Sequence, residues 1–277
     1  MANLITLNRR IKVSKNIAKT TRAMQMVAAS KTKKAQANTL KTRPYADKLA
    51  FMVKNLLGRL PEDFSHPYLT SEQKAKKTLL VAISPDKGLC GSLISNLRRE
   101  LIAFKDGKNL TFLTVGKKLA SRVAGEKVIA DFPMGVSQPE FSQIVPIVKI
   151  IGEFNEVFVL YAKFENFFTQ KVTIEKLLPI QIEDAKPAVS GQDYLFEPNT
   201  ARVLESLLPH YLESRLFQLV QESFASEQVA RMIAMQNATD NAQDVIEELT
   251  LAYNKARQEK ITNEILDIAR AGSALSL

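Results

Sequence analysis

Residues 210–271, HYLESRLFQLVQESFASEQVARMIAMQNATDNAQDVIEELTLAYNKARQEKITNEILDIARA, run for 62 residues without a glycine or a proline. Helix interiors exclude both: proline lacks the amide donor and clashes with the preceding turn, and glycine loses the most backbone entropy. The stretch therefore reads as one helix, about 93 Å long at 1.5 Å per residue, longer than a small domain is wide. Residues 1–43 form a second such block. Every glycine and proline except Gly272 falls between Pro44 and Pro209. The chain reads as two long terminal helices with a turn-rich domain between them.

Spacing refines this picture. Leu4, Leu7, Ile11, Ser14, Ala18, Thr21, Gln25, Ala28, Thr32 and Ala35 follow alternating three- and four-residue steps, as do Met232, Met235, Thr239, Ala242, Ile246, Leu249, Tyr253 and Ala256. Such steps mark the seam of a left-handed coiled coil. A chain that leaves one helix, builds a domain and returns through another should pair its ends antiparallel. The seam is rich in small and polar residues, which leaves two readings open: close packing by small side chains, or a helix pair that must not grip its surroundings. Charge also divides between the ends. Residues 1–54 hold 13 basic residues against Asp47, whereas residues 201–277 hold 7 basic and 11 acidic ones. Pairing the two helices neutralises only part of this excess, so the rest must face solvent or an acidic partner.

Between the helices, apolar strands at 78–84, 110–115, 128–132, 157–161 and 170–176 alternate with helical runs near 92–105, 117–124 and 140–152. That alternation predicts a mainly parallel α/β sheet. The expected division is a helix over 1–60, an α/β domain with linker over 61–200, and a second helix over 201–277. Residues 180–199, with Pro187, Gly191 and Pro198, read as the linker.

Composition excludes much. Hydrophobic residues make up 45% and charged residues 24%, the mix of a globular chain with a core. One cysteine, Cys90, and two histidines leave no disulfide framework and no cysteine- or histidine-rich metal or catalytic centre. The N-terminus, MANLITLNRRIKVSK, carries charges too close together for the apolar core of a signal peptide, and no apolar run approaches the length of a membrane span. A chain without an anchor, in a reducing compartment, is expected.

Three segments carry candidate chemistry. Residues 85–92, PDKGLCGS, follow the first strand and open a helix, where phosphates are often cradled. They match neither the P-loop nor the dinucleotide fingerprint, so a close-packed strand–helix turn competes with a nucleotide site. Cys90 is a nucleophile only if some group activates it, and a buried apolar role is the alternative. Residues 23–29, AMQMVAA, are apolar almost all round their helix, in keeping with burial or with passage through a hydrophobic collar in a partner. The basic N-terminal helix would also suit nucleic acid, but residues 1–44 contain no aromatic residue to stack on bases. Glu247, Glu248, Glu259 and Glu264 read as a solvated helix face.

Certain of these residues also carry a family resemblance. Arg10-Ile11 with Lys19–Lys31 (KTTRAMQMVAASK) resembles the N-terminal signature of the F-type ATP synthase gamma subunit family. Asp86–Gly91 (DKGLCG) resembles its central motif, with Lys87 where the family usually has Arg. Ser226–Met235 (SEQVARMIAM), Ala238–Ala242 (ATDNA), Tyr253–Gln258 (YNKARQ) and Ile261–Glu264 (ITNE) are similar to its C-terminal stretch. Pro85, Ser92 and Ile94 depart from the usual residues around the central motif, and 180–199 lacks the cysteine pair of chloroplast relatives.

The resemblance implies an asymmetric antiparallel coiled coil on a Rossmann-like base, turning inside a ring of three alpha and three beta subunits. The base would sit with the epsilon subunit on a membrane ring of c subunits, touching the membrane only through that ring. The chain would have no catalytic site and no cofactor, would bind no nucleic acid, and would lie on the cytoplasmic face of a bacterial inner membrane. The resemblance further implies contacts with the beta subunits at Met24, Arg231, Gln258 and Thr262, at Arg257 beside that motif, and at Lys87.

Overall fold

The computed structural model describes residues 4–60, 64–69, 77–123, 126–135, 138–167, 169–180 and 196–275. Most of the expected linker, 181–195, lies outside the described residues, as do the side chains of the tail from Arg270. Helix α1 is Leu4–Leu57 and helix α5 is Thr200–Leu275. Between them come β1 (Thr78–Ile83), α2 (Leu93–Lys105), β2 (Leu110–Val115), α3 (Lys117–Ala120), β3 (Val128–Phe132), α4 (Val145–Ile151), β4 (Glu156–Phe164) and β5 (Gln170–Leu178). The chain forms two compact units, one of Met1–Ala28 with Met232–Leu277 and the other of Ala29–Arg231.

Both helices run through the prolines that bound the glycine- and proline-free blocks, Pro44 and Pro209. An interior proline costs a helix about 3 kcal/mol, so packing must outweigh it. Around Pro209 it does. Leu204, Leu208, Leu212 and Leu216, four residues apart, are all fully buried against the sheet. Each contributes about 1.5–3 kcal/mol by leaving water.

In the larger unit the strand order is β3-β2-β1-β4-β5. The first four are parallel, and β5 returns antiparallel along β4 from Phe164↔Gln170 to Val157↔Leu178. Successive strand side chains point to opposite faces. Leu79, Val81 and Ile83 of β1 pack on α4, on α5 and on Val53 and Leu56 of α1; Leu80 and Ala82 pack on Leu93, Leu97 and Leu101 of α2. The mainly parallel α/β sheet of the sequence reading is present. The single helix expected over 140–152 is instead a 3-10 turn, Phe141–Gln143, followed by α4, which begins just before Pro146, a residue suited to a first helical turn. The helix expected over 117–124 stops at Ala120, where the Val123 amide turns back onto the Leu119 and Ala120 carbonyls.

In the smaller unit, the predicted seam positions are the ones withdrawn from solvent. Over residues 4–22 only Leu4, Leu7, Ile11, Ser14, Ala18 and Thr21 are not exposed. On α5, Met235, Thr239, Ala242, Ile246, Leu249, Tyr253 and Ala256 are likewise buried or half-buried, and every described side chain from Arg257 to Ala269 is exposed. The Thr21 and Thr239 hydroxyls meet at 2.7 Å, while Arg10, Val13 and Ser14 share a cleft with Val245 and Leu249. Residue numbers rise along one helix as they fall along the other, so the pair is antiparallel.

Candidate functional site

Strand order turns at β1, which has β2 on one side and β4 on the other. The loop leaving such a strand is where open α/β sheets usually take their ligands. Here the loop is Pro85–Gly91, and the chain fills the position with its own groups. Asp86 Oδ1 accepts the Lys117 amide at 2.9 Å and its Oδ2 accepts the Gly135 amide; the Lys118 amide donates to the Pro85 carbonyl at 3.1 Å. From α5, Arg231 Nε donates to the Gly88 carbonyl at 3.3 Å. Its Nη2 donates to the Lys87 carbonyl at 3.2 Å and to Glu227 Oε1 at 2.7 Å. Two carbonyls and a carboxylate surround a guanidinium. That lining suits a cation, not a phosphate, and it favours the close-packed turn over the nucleotide cradle.

Burial sets the electrostatics. Loss of water pushes the Glu227 carboxyl above its usual range, and the nearby Arg231 only partly opposes this, with Asp86 adding to the rise. A carboxylate paired with arginine ordinarily shifts downward, so desolvation is the stronger effect at this position. The Cys90 thiol is also pushed up, chiefly by burial and against the pull of Arg231. At 1% exposure and packed with Leu93 and Leu97, Cys90 is a small apolar core residue and not an activated nucleophile.

Of the six residues singled out by sequence, the structure brings two together. Lys87 is exposed, and Arg231 grips its carbonyl from behind. In the other unit, Met24 is half-buried, and Arg257, Gln258 and Thr262 are exposed within two turns of α5. The apolar band at 23–29 separates into a buried Ala28 and an outward Met26 and Val27, 61% and 58% exposed. Glu247, Glu248, Glu259 and Glu264 are exposed, as expected of a solvated face. Two residues escaped the sequence reading: Glu227, which orients Arg231 from one turn earlier, and Leu89, a non-glycine residue at φ 63° that is 59% exposed. The glycines flanking Leu89-Cys90 were the only signal of an unusual backbone there. Among the described residues no cluster of His, Cys, Asp and Glu could hold a metal, and no helix is long and apolar enough to cross a membrane.

The sequence model of the family described as ATP synthase matches residues 3–275. The ATP synthase gamma chain of Dehalococcoides mccartyi (strain BAV1) is 41% identical over 288 residues, covering all of both chains. That of Roseiflexus castenholzii is 39% identical over 283 residues, covering 98% of this chain and 97% of the relative. Among solved structures, the rotor of Euglena gracilis mitochondrial ATP synthase has the same fold, with a TM-score of 0.69 at 20% identity over 93% of this chain and 98% of that one. The central stalk and c-ring structure of Tetrahymena thermophila mitochondrial ATP synthase gives 0.59 at 27% identity, over 79% and 98%. A likeness running through both terminal helices and the sheet at 41% identity leaves one assignment: the chain belongs to the ATP synthase gamma-chain family.

Proposed function

We propose that this chain is the central rotor stalk of an F1Fo ATP synthase and the non-catalytic subunit that couples ion flow to ATP synthesis or hydrolysis. One copy stands within three alpha and three beta subunits, and its base meets the epsilon subunit and the c ring. The shaft is 1–60 with 201–277, the base is 61–200, and the assembly lies on the cytoplasmic face of a bacterial inner membrane. The observation that carries this reading is the likeness to gamma chains over the full length of both sequences.

The physics of the helices supports it. Coupling two distant sites needs a stiff element whose orientations each favour a different conformation of the partner. The two long helices supply stiffness. Their seam holds the small and polar residues Ser14, Ala18, Thr21, Thr239 and Ala242, while Arg9, Arg10, Lys12, Lys15 and Lys19 face outward. Exposed charge pairs are worth only about 0–1 kcal/mol and are screened by salt, so contacts with acidic loops form and release at little cost. In this reading Met24, Lys87, Arg257, Gln258 and Thr262 face the beta subunits.

Native mass spectrometry of the chain mixed with its alpha and beta subunits tests the proposal. The expected species contains three alpha, three beta and one copy of this chain, with ATPase activity appearing on assembly. Two or three copies per ring, or a hexamer that excludes the chain, would refute it. A separate shift assay on labelled duplex DNA at low salt should show no binding. Steeply salt-dependent binding would revive the nucleic-acid reading of the basic helix.

A further inference from the structure

The loop after β1 is held far more firmly than a surface turn requires. Asp86 is tied to the Lys117 and Gly135 amides, and the Cys90 side chain is sunk in the core. Between these anchors, Arg231 grips the carbonyls of both Lys87 and Gly88. Arg231 is in turn oriented by Glu227, four residues earlier on α5, and only 12% and 15% of these two side chains reach solvent. Everything in the loop is thus pinned except two outward side chains, Lys87 and Leu89. Leu89 is large, apolar and left-handed, a backbone state that L-residues other than glycine rarely adopt and keep only where the surroundings over-determine it.

We infer that Arg231 and Glu227 are positioning residues, holding the 86–91 loop in the one conformation that displays Leu89 and Lys87 to an acidic loop of the ring with an apolar seat beside its carboxylate. Arg231 therefore acts from behind the loop and does not itself touch the ring, unlike the role implied by the family resemblance. The inference rests on the rotor reading for its partner. The partner's chemistry follows from the pair displayed: a cation two residues from an exposed leucine. Lysine could not replace Arg231, because one ammonium cannot fork across two carbonyls and a carboxylate. Glycine at position 89 would keep the backbone and remove only the side chain, which separates loop order from contact.

The test uses the full chain, free and assembled with alpha, beta and the membrane sector, as wild type, Arg231→Gln, Arg231→Lys, Leu89→Gly and the double variant Leu89→Gly/Arg231→Gln. Hydrogen exchange of amides 87–91 in the free chain reads the clasp. Arg231→Gln should speed it by about tenfold or more, Arg231→Lys by less, and Leu89→Gly should leave it slow. Ions pumped per ATP in the assembly reads the contact. Leu89→Gly and Arg231→Gln should each lower it, and the double variant should fall no further, because both act through one loop. Unchanged loop exchange in Arg231→Gln would overturn the clasp, and an additive loss in the double variant would show that Arg231 meets the ring directly. Normal pumping by Leu89→Gly would overturn the display. If wild type fails to join the ring while its loop still loosens in Arg231→Gln, the rotor reading and the display fall together and the clasp stands.

Discussion

Alanine in place of Gly116 should unseat the end of the central strands, and the size of the effect can be worked from the geometry. Gly116 has φ 94° and ψ 150°, a region almost reserved for glycine. Its amide donates to the Phe132 carbonyl at 2.8 Å, and its carbonyl accepts the Ser84 hydroxyl at 3.1 Å. A Cβ there would lie 1.9 Å from the Ser84 carbonyl oxygen and 2.8 Å from its carbon. Both are backbone atoms, so the end of β1 itself must move. Backbone strain costs about 1–3 kcal/mol. Displacing Ser84 also weakens its bonds from the Leu119 amide, to the Val115 carbonyl and to Gly116, at about 1 kcal/mol each. The expected loss is about 4–6 kcal/mol. Gly107→Ala is the control: its φ is 69°, but its added Cβ would meet nothing within 4 Å, so about 1 kcal/mol of strain is all it should cost. The assay is urea denaturation followed by hydrogen exchange of β1 and β2 peptides, which reports on the sheet without the helical signal of α1 and α5. Equal losses in the two variants, within about 1 kcal/mol, would refute the steric argument. The change should also loosen Asp86, because the neighbouring Lys117 amide is one of its two anchors.

Three further outcomes are expected. In the seam, Thr21→Val and Thr239→Val should each cost about 1 kcal/mol or less by losing the bond between the hydroxyls, since the remaining hydroxyl keeps a carbonyl of its own helix, and the double variant should cost less than their sum; a strictly additive thermal-denaturation cycle would show that the 2.7 Å contact carries no coupling. Burial, reinforced by Glu175, raises the Tyr161 phenol well above 10. The unfolded chain then loses this proton first, so stability should fall as pH rises above about 10, and Tyr161→Phe should flatten that slope in chemical denaturation. Cys90, with its raised thiol and 1% exposure, should react with iodoacetamide only after unfolding; rapid alkylation of the native chain at neutral pH would contradict its burial.

The terminal helices and their seam were legible because both signals are local. A missing glycine or proline and a three-four spacing act within a few residues, and the buried set over 4–22 follows the spacing position by position. The strands were legible for the same reason, since β1, β2 and β4 are continuous apolar runs covered on both faces. The glycine- and proline-free blocks alone do not show that the helices continue through Pro44 and Pro209, because a proline's local cost competes with packing that only the fold reveals, here Leu208 and Leu212 against the sheet. The grip of Arg231 on a loop 143 residues away in sequence has no local signature at all. Nor does the left-handed state of Leu89, which depends on the anchors around it. For Cys90 the sequence favours an apolar role, since no histidine lies near it in sequence to activate it, and its burial agrees.

The bare end of α5 bears on the life of the chain before assembly. From Arg257 to Ala269 every described side chain is exposed, including Ile261, Ile265 and Ile268 on one side of the helix. A single helix of that length is only marginally stable in water when nothing covers it. A free copy therefore carries, at one end, an uncovered apolar stripe beside Arg257 and Lys260, both cut sites for a trypsin-like protease. Covering that stripe adds stability by mass action, since a partner that binds only the helical form draws the equilibrium toward it. If a partner covers these residues on assembly, the uncovered chain should be cut there sooner than the assembled one, and limited trypsin digestion of the two would read the difference.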